Sequence, residues 1–193
     1  MLDRIAFAIF WTFLWTRTFR ARPGIGALSA RRWWRVAGGV SLAVLAAGGV
    51  ALAGTDVNSL WYRRLPKPPF QPPDWAFPVV WNVIYPTLAA TTALTIADLG
   101  DDETGSDNPA QRRTYTALLG ANLALNAAWP WVFHHRRSLV GATVVSAGMT
   151  VTAAELVRRT AQANPWRAGA LALYPAWGVL ATAINGWIAA KRA

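Results

Sequence analysis

The chain has 193 residues, room for one domain, and only 15% of them are charged while 54% are hydrophobic; a soluble domain carries roughly 25% charge. With no cysteine, disulfides, thiolate chemistry and Cys-ligated metals are excluded. The net charge of +10 does not point to nucleic acid, because the cations fall in short clusters between apolar runs, such as Arg63-Arg64, Arg112-Arg113, Arg136-Arg137 and Arg158-Arg159. That spacing is the pattern of helix flanks facing lipid phosphates.

In chain order, the first apolar stretch is Ile5 to Thr16, too short for a span and followed by Arg17, Arg20 and Arg22. A spanning helix needs about 20 mostly apolar residues. Residues 1–34 therefore read as an N-terminal extension, interfacial or signal-like, with a short amphipathic helix lying outside the core. Residues 35–193 form the membrane domain. Its first segment runs from Val36 to Gly54.

Next comes Trp61 to Tyr85, WYRRLPKPPFQPPDWAFPVVWNVIY. Pro66, Pro68, Pro69, Pro72 and Pro73 cannot all sit in a helix, so the connector is extended and stiff, either a lid over a helix bundle or an ordinary linker. Pro72 and Pro73 suit the start of the second helix, with Asp74 in its first turn. The second segment is about Ala76 to Ala97. The linker from Asp98 to Arg113 holds five of the nine acidic residues and reads as a solvated loop, without calcium-loop spacing.

The third segment is about Tyr115 to Phe133, the fourth Leu139 to Val157 and the fifth about Ala168 to Ala190. His134 and His135 adjoin Arg136 and Arg137; adjacent histidines diverge on a helix and make a poor metal pair, so an anion or headgroup contact is expected. Glu155 stands three and four residues before Arg158 and Arg159, where ion pairing at the interface is expected. The expected fold is all-α, an integral membrane bundle of five transmembrane helices. The N-terminus and the second and fourth connectors share 12 cations against 7 on the other side, which places the N-terminus inside. That margin rests on Arg4, Arg17, Arg20 and Arg22 of the extension.

Twelve tryptophans in one short chain suit membrane interfaces and also flat aromatic ligand pockets. Trp81 and Tyr85 share a face of the second helix. Asn122, Asn126 and Trp129 share one on the third, and Trp177, Ala181, Ile184 and Asn185 one on the fifth. Buried Asn is costly in lipid, so these faces should look inward, either binding helix to helix or lining a pocket. Gly120, Ala124 and Ala128 form a small-residue stripe about 200° around the third helix from the Asn face, where another helix can pack closely, either one of the same chain or one of a second copy.

The connector resembles the signature of the TspO/MBR family, the tryptophan-rich sensory or translocator proteins. It matches at Trp61, Tyr62, Leu65, Lys67, Pro68, Phe70, Pro72, Pro73, Trp75, Trp81 and Tyr85. Two further blocks follow in the family's order: Asn122, Asn126 and Trp129 in the third helix, then Tyr174, Ala176, Trp177, Ala181, Thr182 and Asn185 in the fifth. The resemblance implies a five-helix bundle, often a homodimer, with a ligand cavity roofed by the first connector. Its implied ligands are tetrapyrroles such as porphyrin or heme, and cholesterol in animal members. On the matched positions, the expected ligand-binding residues are Trp61, Phe70, Trp75, Trp81, Tyr85, Asn122, Asn126, Trp129, Trp177, Ala181, Ile184 and Asn185. No required cofactor, metal or nucleic acid is expected.

The chain also departs from the pattern. Gly186 stands where the animal sterol motif needs Tyr, so cholesterol binding is not supported. Gly141 stands where some members carry Trp, and Pro86 and Pro175 are unexpected and expected to kink the walls. Three functions stay open. One is a receptor, sensor or transporter for tetrapyrroles or other apolar ligands. Another is a light- and oxygen-dependent porphyrin-degrading enzyme using Trp81 and Trp177. The third is a regulatory membrane scaffold. Hydrolytic triads and phosphate loops are not visible.

Overall fold

The structure, a computed structural model, describes residues 30–100 and 108–192, with side chains from Trp34 onward. The short helix expected at Ile5 to Thr16 and most of the acidic linker lie outside the described residues. The regular elements among the described residues are all helical: α1 (Ala30–Ala53), α2 (Leu60–Arg63), α3 (Ala76–Asp98), α4 (Pro109–Pro130), a π-helical turn (Trp131–His135), α5 (Leu139–Ala163), α6 (Pro165–Leu171) and α7 (Leu173–Arg192).

Four stretches are long and apolar enough to cross a membrane: Trp34–Ala53, Ala76–Asp98, Leu139–Ala163 and Pro165–Arg192, the last being α6 and α7 together. The remaining long helix, α4, is less apolar because it opens on Gln111, Arg112 and Arg113 and carries two asparagines at mid-length. Both amides are withdrawn from the surface, Asn122 at 0% and Asn126 at 4% exposure. Burial of polar groups inside a bundle is what lets such a helix sit at membrane depth.

The helices follow one another around the bundle. α1 packs on α3 and α4, α4 on α5, and α5 along the length of α7. The α5–α7 contact is close because Gly178 has no side chain: a Cβ there would stand 2.5 Å from Thr150 Oγ1. Small residues permit such approach between membrane helices. α6 closes the ring against α3, whereas α7 keeps its backbone apart from α3.

Prolines explain where the helices change course. The expected fifth helix is divided at Ala172, between α6 and α7. Pro175 has no N–H to give to Leu171, and its ring clashes with the carbonyl four residues back; α6 ends at Leu171. Pro86, by contrast, lies inside an unbroken α3, on an exposed side. The third helix stops being α-helical at Pro130 and continues as a π-turn, with Arg136 N–H donating to Trp131 O at 3.0 Å. Arg137 then takes a left-handed φ of 53°, and the Ser138 hydroxyl caps α5 by accepting from Gly141 N–H.

The first connector is not extended throughout. Ser59 caps the turn of α2 by accepting from Tyr62 N–H. Asp74 lies ahead of α3, which begins at Ala76, so the expected first-turn position is corrected. The reason is a turn in which Ala76 N–H donates to Pro73 O at 2.8 Å. Asp74 instead meets Lys67 at 3.3 Å. A further correction concerns Asp98, read as part of a solvated loop: it ends α3 and forms an ion pair of 2.6 Å with the buried Arg167 of α6.

Candidate ligand-binding site

Two groups of side chains occupy the space enclosed by α3, α4, α5 and α7. The deeper one is a hydrogen-bonded network. Tyr85 Oη donates to Asn126 Oδ1 at 2.9 Å, and Tyr174 Oη donates to Asn122 Oδ1 at 2.8 Å. Asn126 Nδ2 reaches back to Tyr174 Oη at 3.4 Å. Asn122 Nδ2 donates to Met149 O at 3.0 Å and Thr152 Oγ1 at 2.8 Å. Two asparagines thus join four helices. Neighbouring hydroxyls behave alike: Tyr115 Oη and Thr160 Oγ1 share a bond of 2.7 Å, and Ser146 and Thr182 one of 3.0 Å.

Above the network, aromatic rings bridge the gap between α3 and α7. Trp81 lies 5.1 Å from Tyr85 and 6.0 Å, edge-on, from Tyr174. Phe77 meets Trp177 edge-on at 5.4 Å. Edge-to-face contacts at these distances are favourable. The i, i+4 spacing of Phe77, Trp81 and Tyr85 sets all three on one side of α3.

The first connector roofs a second apolar cluster of Leu65, Phe133, Ala142, Ile184 and Ile188, with Trp61, Tyr62, Trp129 and Trp187 packed on it. Trp129 stacks on Phe133 at 5.0 Å, and Trp61 meets Phe133 edge-on at 5.4 Å. His134 is buried between Tyr62 and Trp129, with ring distances of 5.3 and 6.2 Å. Burial lowers its pKa below the ordinary imidazole value, opposed by the Asp56 carboxylate. Burial likewise raises the Tyr62 phenol, opposed by Lys67. Trp131 anchors the end of α1, donating from Nε1 to Val50 O at 3.1 Å. Its indole covers Gly54, where a Cβ would come within 2.6 Å of Nε1.

The structure thus brings Trp81, Tyr85, Asn122, Asn126 and Trp177 around one inner space and sets Trp61, Trp129 and Ile184 in the roofed cluster. Asn185 is buried on α7 beside Ile184, and Ala181 is half-buried one turn earlier. Phe70 and Trp75 stand apart on the outside of the connector, at 46% and 69% exposure. Three polar atoms here are buried without a hydrogen-bond partner: Trp129 Nε1, Asn185 Nδ2 and His134 Nδ1. At the far end of the bundle, a groove of about 560 Å³ is lined by Val36, Ile96, Arg112, Arg113, Thr116 and Ala117.

Sequence reasoning missed Tyr174 as an inner-wall residue and Arg167 as a buried cation. Tyr174 had a signal, since it is i−3 from Trp177 and carries a phenol at membrane depth. For Arg167 the signal was the lone cation between two apolar stretches; its partner, 69 residues away, had none.

Apolar helices around a polar network, capped by an aromatic connector, define an integral, multi-pass membrane protein. The TspO/MBR family profile matches residues 39–190. The translocator protein of Ovis aries is 31% identical over 128 residues, 65% of this chain and 70% of the relative. The human translocator protein is 29% identical over 140 residues, 68% and 79% of the two chains. A tryptophan-rich sensory protein from Cereibacter sphaeroides is 30% identical over 125 residues, 65% and 72%. The chain belongs to the TspO/MBR family.

Proposed function

We propose that the protein is a membrane receptor, sensor or transporter that binds tetrapyrroles, or other flat apolar ligands, between α3 and α7 beneath the first connector. One observation carries this reading: the α3 and α7 backbones stand apart, and the gap is bridged by Phe77, Trp81, Tyr174 and Trp177 instead of aliphatic packing. Aromatic faces that can part admit a flat ring system and replace ring–ring contact with ring–ligand contact. The names of the relatives, a translocator and a sensory protein, agree with a receptor-like role.

The test is titration of purified protein with protoporphyrin IX in darkness, read by quenching of tryptophan fluorescence. Saturable quenching is expected. Trp81→Phe and Trp177→Phe should each weaken binding several-fold, about 1 kcal/mol, since phenyl keeps an aromatic face with less area. No saturable binding by the wild type ends the tetrapyrrole reading and leaves a scaffold or a different apolar ligand.

A second reading, photo-oxidative porphyrin breakdown, draws on the nearness of oxidisable rings: Trp81 has Tyr85 at 5.1 Å and Tyr174 at 6.0 Å. Under light and oxygen, absorbance loss that disappears in the Trp81→Phe/Trp177→Phe double variant, while dark binding persists, supports it. Loss at the wild-type rate in that variant removes the two tryptophans from any such chemistry.

A further inference from the structure

The groove at the far end of the bundle shares no lining residue with the aromatic site. Three helices meet there. Val36 of α1, Ile96 of α3, and Arg112, Arg113, Thr116 and Ala117 of α4 line one space of about 560 Å³. That volume falls within the roughly 300–1,000 Å³ of small-molecule sites. Its deep side is apolar, since Ile96 is buried and Val36 packs against the main core. Thr116 and Ala117 are exposed on the outer face of α4, the face that continues into Gly120 and Ala124. The groove therefore opens sideways, toward lipid, along a helix that lies in the bilayer.

Charge gathers at one end of this space. Arg112 is half-buried and Arg113 exposed. They stand i−4 from Thr116 and Ala117, so the two cations head the same groove at the end of the bundle. On α1, Arg35 is exposed next to Val36. Asp98, the acid that ends α3, is paired with Arg167 at 2.6 Å. Cations at the head of an apolar trough complement an amphiphile with an anionic head and an apolar tail.

We propose that this groove binds an anionic phospholipid: Arg112 and Arg113 hold the headgroup phosphate, and one acyl chain lies along Val36, Ile96, Thr116 and Ala117, between α1, α3 and α4. Charge complementarity selects the head, and the sideways opening selects the tail. A free phosphate would leave the apolar walls uncovered. A second copy of the chain is the weaker occupant, because it would bury two cations in a helix interface. The cation count puts this end of the bundle inside, where the leaflet surface is anionic. None of these residues belongs to the candidate tetrapyrrole site, so the outcome leaves that reading untouched.

The experiment is native mass spectrometry of the full chain released from an uncharged detergent, with dioleoyl phosphatidylglycerol or dioleoyl phosphatidylcholine added at matched concentrations. Wild type is expected to retain phosphatidylglycerol with a preference of about thirty-fold, two cations at about five-fold each. Arg112→Gln/Arg113→Gln should bring the two lipids close to parity. Ala117→Trp fills the groove and keeps both arginines, and it should lose the retained lipid. An unchanged melting temperature in lipid-free detergent reports that each variant has folded; if the arginine variant unfolds, Ala117→Trp decides alone.

Equal retention of the two lipids by wild type, or a preference that survives in the arginine variant, overturns the proposal. A preference kept in Ala117→Trp reduces the site to a charged surface and overturns the groove. Competition by millimolar glycerol 3-phosphate assigns the arginines to a soluble phosphate and overturns the lipid. A wild type that retains no lipid, and whose dimer fraction falls in Ala117→Trp, gives the groove to a second copy and overturns it too.

Discussion

At the scale of single residues, the interior is held by side chains with more than one obligation. Tyr174 shows this best. Its hydroxyl donates to Asn122 and accepts from Asn126, so one phenol on α7 fixes both asparagines of α4. Tyr174→Phe keeps the ring against Trp81 and strips one partner from each amide. Interhelical bonds in membranes are worth about 1 kcal/mol, and a buried acceptor left unmet adds to the loss. A lower melting temperature in detergent, with the helical signal unchanged, is the expected result. Because Asn122 and Tyr174 act as a pair, Asn122→Leu in the Tyr174→Phe background should cost less than the two separate losses added together. Additive losses would mean that the bond contributes nothing.

At the scale of elements, the break between α6 and α7 sets the spacing of the walls of the candidate site. α6 approaches α3 and is pinned there by Arg167 on Asp98; past Leu171 the chain turns, and α7 leaves the α3 backbone. Pro175→Ala restores the missing N–H and removes the ring clash, so the helix should run through Ala172. Weaker binding of a flat ligand with equal or higher thermal stability is expected, and unchanged affinity would show that the break is not what spaces the walls. α4 carries the second prediction at this scale. Gly120, Ala124 and Ala128 are exposed while Asn122 and Asn126 are buried, so the stripe faces away from the site. Ala124→Leu should lower the fraction of any dimer seen by cross-linking in detergent and leave ligand affinity intact. A constant dimer fraction removes α4 from the interface.

At the scale of the whole molecule, five spans put the first and second connectors on opposite faces of the bilayer. The chain has no cysteine, so single cysteines report cleanly. Gln71→Cys and Gly105→Cys in sealed vesicles should react with an impermeant maleimide from opposite sides. On the cation count, Gly105 is expected on the inner side; labelling of both positions from the same face contradicts the bundle.

Membership of the family, the membrane setting and the helical class were legible in the sequence, because each is written locally: apolar length, basic flanks, and motifs at fixed spacing from Trp61 to Asn185. The inward faces were legible for the same reason, since the i, i+4 repeat decides that Asn122 and Asn126 look one way and Ala124 another. What those faces meet was not. Whether a buried asparagine binds a neighbouring helix or lines a pocket depends on which residues arrive from elsewhere in the chain, and Tyr85 and Tyr174 arrive from 41 and 48 residues away from Asn126. Asp98 read as a loop acid because nothing near it in sequence is its partner. Pro175 announced a kink, yet only the packing of α6 on α3 and of α7 on α5 turned that kink into a gap. Periodicity and composition act over one or two helical turns and fix the elements; hydrogen bonds and ion pairs between distant residues need the chain folded, and they decided the site.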